Sequence, residues 1–274
     1  MKSVASEVSA CANGLVVVGS KGPGTRVWFR PTGALHLHEF ILPFEPPRES
    51  PAALLPGGRL LVVGRNGESM IVQGGRSPQP GPVIANVVVE GLSTDLVAFA
   101  RGPRFFRFVD GAWKDESPAE DKALAKLDVT ARIRHTIHAM RGVAAVDDGL
   151  AVGADGDCWI AAKGGWKKVP AKTKASLRCV AGGWAGGEGV LLERKGKVFK
   201  AHKVSGDVTS ICGWKKGALV VINGALFEQK GTRLKAPAEM SSIASHRDEL
   251  FCIARGGLYE SSDAREWRRK ALPK

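Results

Sequence analysis

Leu219-Val220-Val221-Ile222, a glycine turn at Gly224, then Leu226-Phe227: a run of branched apolar residues, a turn, and an apolar pair ending in an aromatic. A run apolar at every position is a strand covered on both faces, because a strand with one wet face would alternate. Outward from this stretch the phrase recurs. It reads Leu15-Val16-Val17-Val18-Gly19 to Val27-Trp28, Leu60-Leu61-Val62-Val63-Gly64 to Met70-Ile71, and Leu96-Val97-Ala98-Phe99 to Phe105-Phe106. It continues with Leu150-Ala151-Val152-Gly153 to Cys158-Trp159, Val190-Leu191-Leu192 to Val198-Phe199, and Leu250-Phe251-Cys252-Ile253 to Leu258-Tyr259. A period of roughly 40 residues built from short strands and glycine turns is the mark of a β-propeller, one four-stranded blade per repeat. The expectation is an all-β chain, residues 1–274 forming a single propeller domain of seven four-stranded blades, with six or eight the alternatives if the second repeat, whose tail Ser77-Pro78-Gln79-Pro80-Gly81-Pro82 is proline-rich, is miscounted.

The last repeat is the most legible: 241–244 as innermost strand, then 250–254, 258–261 and 267–272 outward. The repeat before it places strands at 208–212, 218–222, 226–229 and 233–234, and the fifth at 177–181, 189–193 and 198–202. Both chain ends complete their own blades, so ring closure is expected to rest on packing without an exchanged strand. Between the third and fourth repeats, Ser117-Pro118-Ala119-Glu120 is a capping box with proline at the first helical position. It predicts an inserted helix over 118–127.

Ser261-Ser262-Asp263-Ala264-Arg265-Glu266-Trp267 resembles the Asp-box of sialidase-like (BNR) propellers, in which a Ser-x-Asp-x-Gly turn precedes a tryptophan. Asp110-Gly111-Ala112-Trp113 and Gly164-Gly165-Trp166 look like worn versions of it. The resemblance departs from the pattern at Arg265, which holds the glycine position, and it implies the fold and not the catalytic site. A sialidase needs an arginine triad and a Tyr-Glu nucleophile pair. The single tyrosine here, Tyr259, occupies the repeat position that Trp28, Phe106, Trp159, Phe199 and Phe227 fill elsewhere, which reads as strand packing.

Hydrophobic residues at 44% and charged residues at 24% are ordinary globular usage. No apolar run reaches the roughly 18 residues of a membrane span, and no apolar leader follows Lys2, so a cytoplasmic, non-membrane protein is expected. Cys11, Cys158, Cys179, Cys212 and Cys252 fall inside predicted strands without CxxC spacing, which reads as free thiols. His36 and His38 share a strand face but lack a third ligand, and no nucleotide or dehydrogenase fingerprint is visible. No metal and no cofactor are therefore expected. Trp184 and Trp214 fall at equivalent turns, where they either anchor a partner or cover the ring's lower face.

Charge carries the functional reading. The 40 Lys plus Arg exceed the 27 Asp plus Glu, for a formal charge of +13. The turns between second and third strands contain Lys21, Arg65, Arg101 with Arg104, Arg194 with Lys195 and Lys197, and Arg255. In a propeller those turns share one face, here called the top. A positive top face would attract an acidic protein surface or nucleic acid by Coulomb steering. The leading expectation is a non-enzymatic interaction module or scaffold, part of a multiprotein assembly, that binds an acidic partner through these residues. The alternatives are a nucleic-acid-binding propeller and a hydrolase or lyase whose site, at the central channel, would draw on Arg178, Thr209 and Ser241.

Overall fold

The computed structural model describes residues 3–74, 76–100, 104–118, 143–215 and 217–273. The first sheet contains β1 (Val4–Cys11), β2 (Gly14–Lys21), β3 (Gly24–Pro31) and β4 (His38–Ile41), and the second β5 (Ala52–Leu54), β6 (Leu60–Val63), β7 (Ser69–Val72) and β8 (Gln79–Pro80). The third is β9 (Val89–Leu92), β10 (Val97–Ala100), β11 (Arg104–Val109) and β12 (Ala112–Asp115), and the fourth β13 (Val143–Asp147), β14 (Leu150–Gly153), β15 (Asp157–Ala162) and β16 (Gly165–Pro170). A five-stranded sheet follows: β17 (Leu177–Ala181), β18 (Trp184–Lys195), β19 (Val198–Trp214), β20 (Gly217–Ile222) and β21 (Ala225–Glu228). The last is β22 (Met240–His246), β23 (Glu249–Ala254), β24 (Gly257–Ser261) and β25 (Arg268–Lys270).

The expectation of seven separate four-stranded blades is corrected. Counted by hydrogen-bonded sheets among the described residues, the ring has six blades, five of four strands and one of five. The fifth and sixth repeats are carried in one sheet because β19 runs for 17 residues without a break, its first part paired to β18 and its second to β20. Of the helix expected over 118–127, Pro118 is non-helical, as is Ser117 before it, and 119–127 lies outside the described residues. Among the described residues the helical elements are two single turns, Pro56–Gly58 and Ala154–Gly156.

The unbroken apolar runs are explained by what lies on either side of them. Successive strand residues point to opposite faces. In β2, Leu15 and Val17 enter the core shared with the last sheet, while Val16 and Val18 enter the core shared with the second. In β23, Phe251 and Ile253 face the first sheet, while Leu250 and Cys252 face the five-stranded one. Each such side chain, taken fully out of water, contributes about 1.5–3 kcal/mol before chain entropy is subtracted.

Innermost strands of neighbouring sheets are joined by hydroxyl groups. Ser242 accepts from the Val8 N–H at 3.2 Å and donates to the Val8 carbonyl at 3.1 Å, closing the ring between β22 and β1. Two residues into its own ladder, at the equivalent place on β19, Ser210 accepts from the Ile243 N–H at 3.1 Å and donates to its carbonyl at 3.5 Å. At the same closure Ala5 N–H donates to the Gly256 carbonyl at 3.0 Å. The first and last sheets exchange no strand.

Candidate functional site

The basic residues singled out from sequence divide between the two ends of the ring. Lys21 closes β2, Arg65 and Arg255 stand in the turns after β6 and β23, and Arg104 opens β11, all at second-to-third-strand turns on the top face. Arg101 lies outside the described residues. Arg194, Lys195 and Lys197 are elsewhere. The Arg194 N–H donates to the carbonyl of Gly183, in the turn between β17 and β18, at 2.9 Å. Gly189, at φ 66°, bends β18 so that its second half runs back toward that turn, leaving this trio at the opposite end from Lys21, Arg65 and Arg255.

Most of these cations meet one carboxylate each. Arg65 pairs with Glu45 at 2.6 Å, Arg104 with Asp115 at 2.8 Å, Arg255 with Glu239 at 3.0 Å and Lys195 with Glu193 at 3.5 Å. Arg104 also lies 5.0 Å from the centre of the Phe106 ring. Exposed pairs of this kind are worth about 0–1 kcal/mol, so they orient the side chains and leave them open to exchange.

The channel through the ring has a volume of about 650 Å³ and is walled by the innermost strands. Arg178, Thr209 and Ser241 do line it, together with carboxyl groups that sequence reading missed. Burial of Glu7, on β1, pushes its carboxyl up to about 7, with the Glu49 charge a smaller contribution. Burial also pushes Asp147 up to about 6, although Thr94 Oγ1 donates to it at 2.8 Å and the Gly182 N–H at 3.2 Å. Asp147 thereby ties the turns of the third and fifth sheets across the channel mouth. Arg178 is bound on two sides, to Glu188 at 2.5 Å and to Asp207, which makes it a brace inside the five-stranded sheet. A repeat-aligned reading could have found Ser210 and Ser242, which recur at one position. Glu7 and Asp147 are adjacent to apolar residues on strands and carried no such signal.

The tryptophans serve packing. Trp166 stacks on Phe105 with centroids 4.4 Å apart, Trp113 meets Phe108 edge-on at 5.1 Å, and Trp267 rests against the core between the fifth and last sheets. Trp184 and Trp214 are half-buried, the former 6.0 Å from the His202 ring and the latter 5.6 Å from the Lys215 ammonium. Before Trp267, Asp263 Oδ1 accepts from the Arg265 and Glu266 amides at 2.8 and 2.9 Å, and Ser261 Oγ accepts from the Ala264 N–H at 3.0 Å. The Glu266 and Arg265 amides hold the Asp263 carboxyl below the usual carboxylate range. His36 precedes β4, so it does not share a strand with His38. Cys158, Cys212 and Cys252 are buried and Cys11 and Cys179 half-buried, all as free thiols.

The arrangement is that of a β-propeller: closed antiparallel sheets around a polar channel. No family model matches the chain, and no curated protein does. Solved structures do. Sqt1 of Saccharomyces cerevisiae superimposes with a TM-score of 0.60 at 11% identity, over 98% of this chain and 85% of that one. BBS1N, solved in complex with ARL6DN, gives 0.56 at 12% identity, over 97% and 94%. YCF48 bound to D1 peptide gives 0.51 at 12%, over 96% and 86%. At these identities the likeness shows the fold. Among the described residues no helix is long and apolar enough to cross a membrane.

Proposed function

We propose that the protein is a non-enzymatic interaction module, a cytoplasmic subunit of a larger assembly, whose top rim binds an acidic protein partner. The observation that carries this reading is the placement of Lys21, Arg65, Arg104 and Arg255 at like turns of four sheets on a chain of charge +13. Propellers of the same fold solved with a bound peptide or partner, YCF48 with D1 peptide and BBS1N with ARL6DN, support the role without specifying the partner. Turns anchored in hydrogen-bonded sheets limit the ordering cost of binding, which favours a scaffold that presents charges at defined positions.

Two charge-reversed variants test it. Lys21, Arg65 and Arg255 to Glu should abolish affinity capture of the partner, while Arg194 and Lys195 to Glu, at the other end, should leave it intact. Undiminished capture by the rim variant removes the reading. Repeating the capture with nuclease and at two salt concentrations separates nucleic acid, whose binding falls by orders of magnitude as salt rises.

A second reading rests on Glu7. A carboxyl that titrates near neutral pH in a polar channel suits general acid–base chemistry, as in a hydrolase or lyase. Turnover of a substrate panel that vanishes in Glu7→Gln would establish it, and no turnover by the wild type would dismiss it.

A further inference from the structure

Three of the molecule's surface cavities are contiguous, and all three lie on the junction between the last sheet and the first. One, of about 340 Å³, lies beside Arg30, Thr32 and Arg247. The next, of about 420 Å³, shares Arg30 with it and runs over Leu15, Leu35, Phe251 and Leu258. The third, of about 660 Å³, shares Leu258, Lys270 and Leu272 with the second and reaches Lys21, Gly256 and Arg269 at the top face. The second and third cavities meet β2 at Leu15 and Lys21, and at about 3.3 Å per residue the distance between those two sets a groove of roughly 20 Å.

The base of this groove is apolar. Half-buried Leu37 and Leu272 line it and pack on the ring-closing core of Leu15, Phe251 and Leu258, which are each 1% exposed. Beside them Leu35, in the loop between β3 and β4, is 87% exposed, more than any other large apolar residue among those described. A leucine held in water at the lip of an apolar trough gains from a second apolar surface laid across it. The walls differ from end to end. The two upper cavities are lined by Lys21, Arg30, Arg269 and Lys270, with no carboxylate among their lining residues. Lys270 and Arg30 each meet one carboxylate from outside, Glu260 at 2.9 Å and Glu249 at 3.3 Å. The lower cavity is mixed, with Asp248 and Glu249 facing Arg247 and Arg30. A long trough, apolar along its base and cationic toward one end, fits an extended chain better than a compact ligand.

We infer that the junction between the last and first sheets is a docking groove for an extended peptide segment of about six residues, with apolar side chains along its length and carboxylates toward the top-face end. It rests on the interaction-module reading and deepens it, because it names a second contact for the acidic partner, one that adjoins the rim at Lys21. The apolar positions supply affinity through burial against Leu35, Leu37 and Leu272. The carboxylates, placed against Lys21 and Arg269, fix direction.

The test uses a random twelve-residue peptide display library panned on the full chain. Recovered binders should be enriched in Leu, Ile or Phe together with Asp or Glu, the acids clustered at one end. Synthetic copies should bind at least tenfold more weakly to a Leu35→Asp, Arg269→Glu variant, whose thermal midpoint should match the wild type because both side chains are surface groups. The same peptides should bind a variant changed only at Arg65 and Arg255 with unaltered affinity. Undiminished partner capture by that variant would sink the rim and spare the groove, whereas loss of capture with these peptides retained supports both. Three results overturn the inference: no recovered binders, binders without the acidic-apolar pattern, or equal binding to the groove variant. A fourth is a concentration-dependent dimer in sedimentation that Leu35→Asp abolishes, which would make a second copy of the chain the occupant.

Discussion

Ser242 shows how much one hydroxyl can carry. It is buried, and it hydrogen-bonds both polar backbone groups of Val8 across a junction that no strand ladder spans. Ser242→Ala strands a buried N–H and carbonyl together, at about 1–3 kcal/mol for the unsatisfied donor. The expected outcome is a lower denaturant midpoint for Ser242→Ala, with Ser242→Thr closer to wild type. Equal midpoints for Ala and wild type would show that water replaces the hydroxyl. Glu7 acts in the opposite sense. Its folded pKa is raised, to about 7, so the folded state holds the proton more tightly than the unfolded chain. Stability is therefore greatest below the ordinary glutamate pKa and is lost as pH rises through about 7. Glu7→Gln should remove most of that slope and stabilise the protein at pH 8 by on the order of 1 kcal/mol, reduced from the full shift by water in the open channel. Asp147, pushed up to about 6, leaves a residual slope of the same sign. Denaturation curves from pH 4 to 9 decide this, and parallel profiles for variant and wild type would refute it.

At the scale of the strand, hydrophobic pattern located elements well and their hydrogen-bond continuity badly. The last repeat was expected at 241–244, 250–254 and 258–261, and the strands are Met240–His246, Glu249–Ala254 and Gly257–Ser261. Those positions were legible because apolar cores on both sides impose the run. In the fifth repeat the second strand was expected to begin at 189, whereas β18 begins at Trp184 and bends at Gly189. That one misplacement put Arg194, Lys195 and Lys197 on the wrong end of the ring. Nor does side-chain pattern record whether 204–207 interrupts a strand, so the merging of two repeats through β19 was not readable. Charge at a turn is visible in a sequence; the end of the ring on which the turn falls depends on where every preceding strand begins. Gly14, by contrast, has one readable role. At φ 140° it opens β2, and a Cβ there would come within 2.2 Å of the Arg30 carbonyl oxygen. Gly14→Ala should cost about 2 kcal/mol or more, through both the backbone conformation and the clash with β3. A thermal midpoint unchanged by the substitution would mean that the β2–β3 pairing shifts to accommodate it.

For the whole molecule, the net charge of +13 is distributed over a rigid ring, and most of the cations named on the rim meet a single carboxylate. Attraction of an acidic partner by such a surface is long-ranged at low salt and falls off beyond about 8 Å at physiological ionic strength. The association rate with the partner should therefore drop about tenfold or more between low and physiological salt, while the dissociation rate changes little. A rate independent of salt would shift the binding energy from the rim to the apolar groove.

The serine hydroxyls that join innermost strands have a consequence for the history of such a ring. Where neighbouring units meet through apolar packing and a few pinned hydrogen bonds instead of a continuous ladder, a unit can be duplicated or deleted with few hydrogen bonds to rebuild. Ser210 and Ser242 stand at the same place in successive repeats, so a copied repeat arrives already carrying its own fastening. Repeat number then becomes something descent can change in a single recombination event, without a folded intermediate having to be invented at each step.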